Sequence, residues 1–377
     1  MSTQTTSLIS VTVNHTYEEE AIYASLCRHM ENLHIAEELR PDMTVLLKPN
    51  LVLAKKPELA ATTHPSVLKA VVRWLQETGI TKIIIADSPG GLYQADHMRS
   101  IYSTCGLACP ELQPYLNQDY GFETIPTRKG FANHSFPLIH PIIQADYIIN
   151  LPKLKTHAMT ALSAGIKNLF GSIPGLQKPQ MHYRWPDLKD FSNMLLELAQ
   201  TVNPDLVIMD AITGMEGNGP TGGTPKELGL LLASKDMYTL DWFGASCIGI
   251  EPASVAMLQL AKEKGLIHAD AIQLAGDALP EHLPVFVQPD TKRLDFGNKI
   301  PPLVRKPVLA VMKRVLKSYP QVDTAKCIGC GKCMESCPPH IITIRNKKAR
   351  FPRKGCISCF CCQEMCPVKA ISVKKAL

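Results

Sequence analysis

Cys327-Ile-Gly-Cys330-Gly-Lys-Cys333-Met-Glu-Ser-Cys337-Pro338 and Cys356-Ile-Ser-Cys359-Phe-Cys-Cys362-Gln-Glu-Met-Cys366-Pro367 are two copies of one pattern, C-x2-C-x2-C-x3-C-P. Three thiolates this close on a tight loop suit a compact iron–sulfide cube, and in this pattern the fourth cysteine reaches across to the other cube. The spacing therefore predicts two [4Fe–4S] clusters. The first would use Cys327, Cys330, Cys333 and Cys366, and the second Cys356, Cys359, Cys362 and Cys337. Gly329 and Gly331 are expected to let the backbone wrap closely and aim N–H groups at sulfur. A pair of zinc sites is the competing reading, but zinc rarely takes three closely spaced cysteines plus a fourth. Cys361 is surplus, because a shift of register from Cys362 to Cys361 breaks the repeat.

Nine of the 13 cysteines lie between Cys327 and Cys366; Cys27, Cys105, Cys109 and Cys247 lie outside. A disulfide framework would spread cysteines along a small secreted chain, and this chain has 377 residues. The Cys105/Cys109 pair reads as ordinary thiols. Hydrophobic residues make up 45%, enough for a sizeable core. No apolar run reaches the ~18 residues of a membrane span, and Met1–Ser10 lacks the basic and apolar regions of a secretory signal. A cytoplasmic protein is the expectation.

Charge divides the chain. Residues 1–290 carry 21 Lys+Arg and 30 Asp+Glu, 291–317 carry 8 and 1, and 323–377 carry 11 and 3. A basic tail beside an acidic body predicts either that the two dock or that the tail meets an acidic partner. Few aromatics interleave with the basic residues and no nucleic-acid-binding motif is present, so nucleic acid is not an expected partner. The tail resembles the bacterial two-cluster ferredoxins, which implies one-electron transfer at low potential and a redox partner. It departs from many of them in being basic rather than acidic, which should raise its potentials.

Residues 1–277 read as alternating strands and helices. Strands are expected at Ser7–Val13, Thr44–Lys48, Lys82–Ala86, Tyr147–Asn150, Leu206–Met209, Gly229–Ala233 and Ile272–Ala275. Helices are expected at Glu18–Leu33, Pro65–Glu77, Asp187–Val202 and Ala253–Lys264. The alternation predicts an α/β body with a mostly parallel sheet and flanking helices, followed by a small α+β ferredoxin-like domain over 323–377. Residues 278–322 hold seven prolines and most of the basic surplus. They read as a linker with one basic helix, Val308–Ser318, packed on the body or lying on a membrane surface.

Four strands run into polar clusters: Lys48-Pro-Asn50; Asp87-Ser-Pro-Gly-Gly91; Pro152-Lys153-Leu-Lys155-Thr-His157 with Gly165-Ile-Lys167-Asn168; and Asp210 with Gly214-Met-Glu216-Gly-Asn218-Gly-Pro220. In an open α/β sheet, ligands bind beyond the carboxyl ends of the strands, so the clusters predict one shared pocket. Lys155, His157, Asp210 and Glu216 are its candidate catalytic residues. Lys48, Asn50, Asp87, Lys153, Lys167, Asn168 and Asn218 are candidates for holding an anionic ligand or a further, unidentified cofactor. His64 is a candidate proton donor or metal ligand. Taken singly, each residue also has an ordinary turn or structural reading.

Lys48-Pro-Asn, Pro152-Lys-Leu-Lys-Thr-His157, Gly165-Ile-Lys-Asn-Leu-Phe-Gly171 and Gly214-Met-Glu-Gly-Asn-Gly-Pro220 resemble the uncharacterised family called domain of unknown function three-six-two. Members often carry a ferredoxin tail of the form at Cys359–Pro367. The resemblance implies an iron–sulfur protein of mostly anaerobic bacteria and archaea, without naming a reaction. A fainter likeness to the amino-terminal domain of nickel-dependent lactate racemases implies a bound cofactor. Three functions fit these readings: a ferredoxin-fused oxidoreductase, an electron carrier whose body docks a partner, and a maturation or sensor factor.

Overall fold

The computed structural model describes residues 6–291 and 318–374. Apart from Ser318, the helix expected at Val308–Ser318 lies outside them. Within the body, β1 (Ser7–Val13), α1 (Glu19–Asn32), β2 (Thr44–Pro49), α2 (Pro65–Glu77), β3 (Lys82–Ile85) and α3 (Ala95–Thr104) come first. A hairpin, β4 (Phe122–Pro126) and β5 (Ser135–Ile139), leads through α4 (His140–Gln144) to β6 (Tyr147–Leu151), β7 (Lys153–His157) and β8 (Ala161–Ser163). Then follow α5 (Gly165–Asn168), α6 (Gln177–Arg184), α7 (Leu188–Val202), β9 (Leu206–Glu216), β10 (Thr224–Ser234), α8 (Met237–Cys247), α9 (Ala256–Glu263) and β11 (Ile272–Gly276).

The main sheet runs β11-β1-β10-β9-β6-β2-β3. The pairs β1/β11, β2/β3, β2/β6 and β6/β9 are parallel, while β10 runs antiparallel to both its neighbours. β2 and β6 are apolar runs because both faces are covered. One layer, with Ile22, Leu26, Val71 and Leu75, holds α1 and α2. The other, with Leu195, Leu198, Leu240 and Leu258, holds α7, α8 and α9. The body is thus an α/β sandwich with a mostly parallel sheet.

Helix starts follow local chemistry. Pro65 occupies the first turn of α2, and the His64 side chain accepts from Ser66 N. Asp187 and Asp236 cap α7 and α8 in the same way.

β9 runs seven residues further than the strand expected at Leu206–Met209, because β10 pairs along it to Glu216. Asp210 therefore lies inside a strand rather than at its end. β7, a stretch of lysines and histidine not foreseen as a strand, lies parallel to β9 and antiparallel to β8. Beyond the sheet, residues 284–291 cross the body: Phe286 is buried, its N–H donating to Ile248 O, and Thr291 Oγ1 donates to Ala158 O.

In the tail, β12 (Tyr319–Val322) pairs antiparallel with β15 (Ile371–Lys374), closing the two ends on each other. Between them lie the one-turn helices α10 (Lys332–Glu335) and α11 (Cys361–Glu364) and the hairpin of β13 (Thr343–Arg345) and β14 (Lys348–Arg350). This small α+β unit packs on the body.

Candidate functional site

The tail contains two cavities, each lined by four cysteines. Cys327, Cys330, Cys333 and Cys366 line one, with Ile344, Ala349 and Ile371. Cys337, Cys356, Cys359 and Cys362 line the other, with Ile342, Phe351 and Phe360. Four thiols around one apolar-walled space fit a [4Fe–4S] cube, and each set takes three cysteines from one run and the fourth from the other. Cys361 lines neither cavity. Gly329 and Gly331 have φ of +69° and +81°, and a Cβ on Gly329 would come 2.4 Å from Lys347 O.

The equivalent positions in the second run, Ser358 and Phe360, adopt the same left-handed conformation without being glycine, at φ of 57° and 61°. That conformation is costly for a large side chain. The compensation is burial, since Phe360 belongs to the apolar cluster that forms one layer of the body. Phe360→Gly is therefore expected to relieve the strain yet loosen the docked tail and open one wall of the second cysteine cavity. Amide exchange should rise together in 359–365 and in 88–91, whose Gly90 packs on Met365.

On the body, β7 places Lys153, Lys155 and His157 on one face by the two-residue period. Each meets a different partner. Lys153 Nζ lies 2.8 Å from Asp210 Oδ2 and 2.7 Å from Tyr17 Oη, fully buried. Asp210 also accepts from Tyr17 Oη and His64 N, so its charge is balanced inside the strand. A parallel pair, Lys48 and Asp87, lies 2.6 Å apart and is equally buried. A Cβ on Gly171 would fall 1.9 Å from Asp87 Oδ1, so glycine is required beside it.

Among the described residues, Lys155 has no carboxylate partner. Its amine donates to Asn50 Oδ1 at 2.8 Å and Ala61 O at 2.7 Å. The chain of donors continues in one direction: Asn50 to Asn168, Asn168 to Asn150, and Asn150 to Gly165 O. Burial, with the charges of Lys153 and Lys167, pulls the Lys155 amine down to about 7.

His157 Nδ1 accepts from Met159 N at 3.0 Å, and burial holds the ring neutral, so Nε2 carries the proton. Nε2 lies 3.4 Å from Glu364 Oε1 of the tail, near it but out of hydrogen-bond alignment.

Several of these groups open into one cleft between body and tail. Of the residues singled out from sequence, Asn50, Asp87, Lys155, His157, Lys167 and Asn168 line it. Lys48, Lys153 and Asp210 lie outside it, locked in ion pairs. Glu216 and Asn218 are carried away by the extension of β9: Glu216 accepts from Val287 N at 2.9 Å, and Asn218 bonds Asp290. His64 stacks on Tyr17 at 3.7 Å, outside the cleft.

The cleft also holds residues the sequence reading passed over. Lys178 donates to Ser88 O at 2.5 Å, and burial draws it down to about 7. His182 is 3% exposed, stacks on Phe191 at 4.3 Å, and among the described residues has no partner for Nδ1. Lys178 and His182 are four apart on α6, a spacing that puts them on one helix face and could have flagged them. Lys167 lies 4.6 Å over the Phe170 ring, held below the usual lysine range by burial and opposed by the charge of Glu364.

The tail closes the cleft with Lys332, Glu335, Ser336, Cys361, Glu364 and Met365. Thr221 Oγ1 donates to Glu364 O, Lys55 to Pro367 O and Lys369 to Gly223 O across the joint.

Residues 45–246 match the family described as Domain of unknown function (DUF362). The chain belongs to that family. Residues 319–367 match a 4Fe-4S dicluster domain, so the DUF362 body carries an iron–sulfur electron-transfer module. Over 266 residues the chain is 35% identical to the thylakoid-associated protein sll1697 of Synechocystis sp., covering 68% of this chain and 79% of that one. A lactate racemase apoprotein from Thermoanaerobacterium thermosaccharolyticum superposes with a TM-score of 0.41 at 12% identity, over 66% of this chain and 58% of that one. That likeness is too low to bear on fold or function. Among the described residues of this DUF362 protein, no helix is long and apolar enough to cross a membrane.

Proposed function

We propose that this chain is a ferredoxin-fused oxidoreductase that binds two [4Fe–4S] clusters and holds an anionic ligand in the cleft between body and tail. One observation carries the reading. Lys155, Lys167 and Lys178 line the same cleft as Lys332, Ser336, Cys361 and Met365, and each of those four tail residues immediately precedes a cluster cysteine: Cys333, Cys337, Cys362 and Cys366. A ligand held by the lysines would sit beside the thiolates of both cubes. Bound [4Fe–4S] cubes exchange electrons one at a time.

The rest falls to the chain's own side chains. Lys155, Lys167 and Lys178 supply positive charge in a site of low dielectric, where an anion is attracted more strongly than in water. The asparagine chain fixes Lys155, and the backbone fixes the tautomer of His157. The docked tail excludes water. Asp210 and Glu216 take no part, because each is committed to a partner outside the cleft.

Two measurements test this on iron-loaded protein prepared without oxygen. Native mass should exceed the chain plus two clusters if a ligand is retained. Titration calorimetry with sulfate, whose charge is constant from pH 5 to 9, should show binding that Lys155→Met weakens at least tenfold. The pH dependence has a definite sign. An anion prefers protonated amines, so affinity should be full well below pH ~7 and fall above it, as Lys155 and Lys178 lose their protons. A mass of chain plus clusters alone, with no sulfate binding, would move the protein to the electron-carrier reading.

A further inference from the structure

The two ends of the tail are not equivalent. At the second-run end, Ser358, Cys359 and Phe360 are buried, and Phe360 reaches into the body. At the first-run end, Cys330 is exposed, while the other cysteines are buried or half-buried. Beside it Ile328 is 59% exposed and Met334 40%, apolar side chains held in water.

Basic residues lie close to them in sequence and on the adjoining β13–β14 hairpin. Lys326, Arg345 and Lys347 are exposed. Lys348 donates to Cys327 O at 2.6 Å, and the backbone of Lys347 packs on Gly329, so the β13–β14 hairpin is fixed against the first-run loop. The acidic neighbours are Asp323, 3.6 Å from Lys326, and the exposed Glu335 beside Met334. Among the described residues, no ion pair engages Arg345 or Lys347. The basic excess survives loading: 11 basic against 3 acidic residues over 323–377 leave a formal +8, and two clusters with their eight thiolates reduce it to about +4.

An apolar centre with a charged rim, over a thinly covered thiolate, is the make-up of a small transient interface. We propose that this face, centred on Ile328 and Cys330 and rimmed by Lys326, Arg345 and Lys347, docks a small acidic one-electron carrier protein, and that electrons enter there. The inference rests on the tail's cluster-binding reading but not on the ligand cleft. Charge complementarity chooses the occupant, since a positive rim speeds encounter with an acidic partner and repels a basic one. The step moves one electron from the reduced carrier to the oxidised chain, with no bond made or broken. Electrons entering at the exposed Cys330 face would reach the cleft through the tail, whose Lys332, Ser336, Cys361 and Met365 line it.

The test uses the full chain, loaded with iron without oxygen, and a small acidic two-cluster ferredoxin as probe. Iron and acid-labile sulfide are counted first, since about eight of each per chain are required by the cluster reading, and a shortfall would defeat that reading by itself. Complex formation is then measured by calorimetry and electron transfer by stopped flow. Both should weaken at least tenfold between 50 and 300 mM salt. Arg345→Glu with Lys347→Glu should weaken them at least tenfold at low salt while leaving iron content and sulfate binding unchanged. Lys347→Glu alone, at an exposed position, gives the same reading at smaller amplitude if the double variant loses iron. Rates insensitive to salt and to these variants, or equal for a basic carrier, would overturn the proposal. So would a low-salt dimer that the variants dissolve, which would put the acidic body of a second copy on this face. Tighter capture of duplex DNA than of the carrier would overturn it as well.

Discussion

Replacing Cys366 with serine is expected to remove the cluster of the first run, not of the second, with iron falling from about eight to about four per chain. The reason is spatial. Cys366 lies at the end of the second run in sequence but lines the cavity of Cys327, Cys330 and Cys333. Combinations separate crossed from uncrossed pairing. Cys366→Ser with Cys327→Ser should lose no more iron than either alone, because both serve one cube. Cys366→Ser with Cys356→Ser should lose nearly all of it. Pairing within each run would reverse these results. Cys361→Ser should keep the full complement, since Cys361 lines the cleft and neither cysteine cavity. Iron and acid-labile sulfide assays decide the outcome.

Lys153→Met is expected to destabilise the body by about 3–5 kcal/mol, because it leaves Asp210 charged, buried and without its cation. Asp210 has no exposed surface and would keep only the Tyr17 hydroxyl and His64 N–H. Lys153→Met with Asp210→Leu should recover most of the loss, since the pair's favourable interaction in the native state is largely offset by its desolvation. The two residues are in contact, so their effects should be strongly non-additive. Denaturant unfolding reads this directly as a shift of midpoint at constant slope. If Lys153→Met alone cost under 1 kcal/mol, the pair would not be buried as described.

The cysteine runs illustrate what local spacing contains. A cube needs three thiolates on one loop, so the iron–sulfur character of the tail was legible from residues a few positions apart, and the repeat led to the expectation of a crossed fourth ligand. The body's alternation was legible for a similar reason: strands covered on both faces, such as β2 and β6, read as continuous apolar runs. The reading failed where polarity lies inside the sheet. Asp210 looked like the end of a strand because an isolated carboxylate belongs outside a core, yet Lys153 lies against it from 57 positions away. β7 escaped notice because its lysines and histidine look like a loop until their partners are known.

The amino-acid sequence by itself determined the α/β class of the body, the iron–sulfur character of the tail, and the polar residues from which a pocket is drawn. All of these depend on neighbours close along the chain. Only the tertiary structure decided which polar residues share a site. Lys48, Lys153 and Asp210 are removed from the cleft by ion pairs, and Glu216 and Asn218 by the continuation of β9. Lys178 and His182 enter from α6, and Glu364 enters from the tail. The physical reason is that burial and charge pairing depend on distance in space: it is the docked tail that closes the cleft and brings Glu364 to His157.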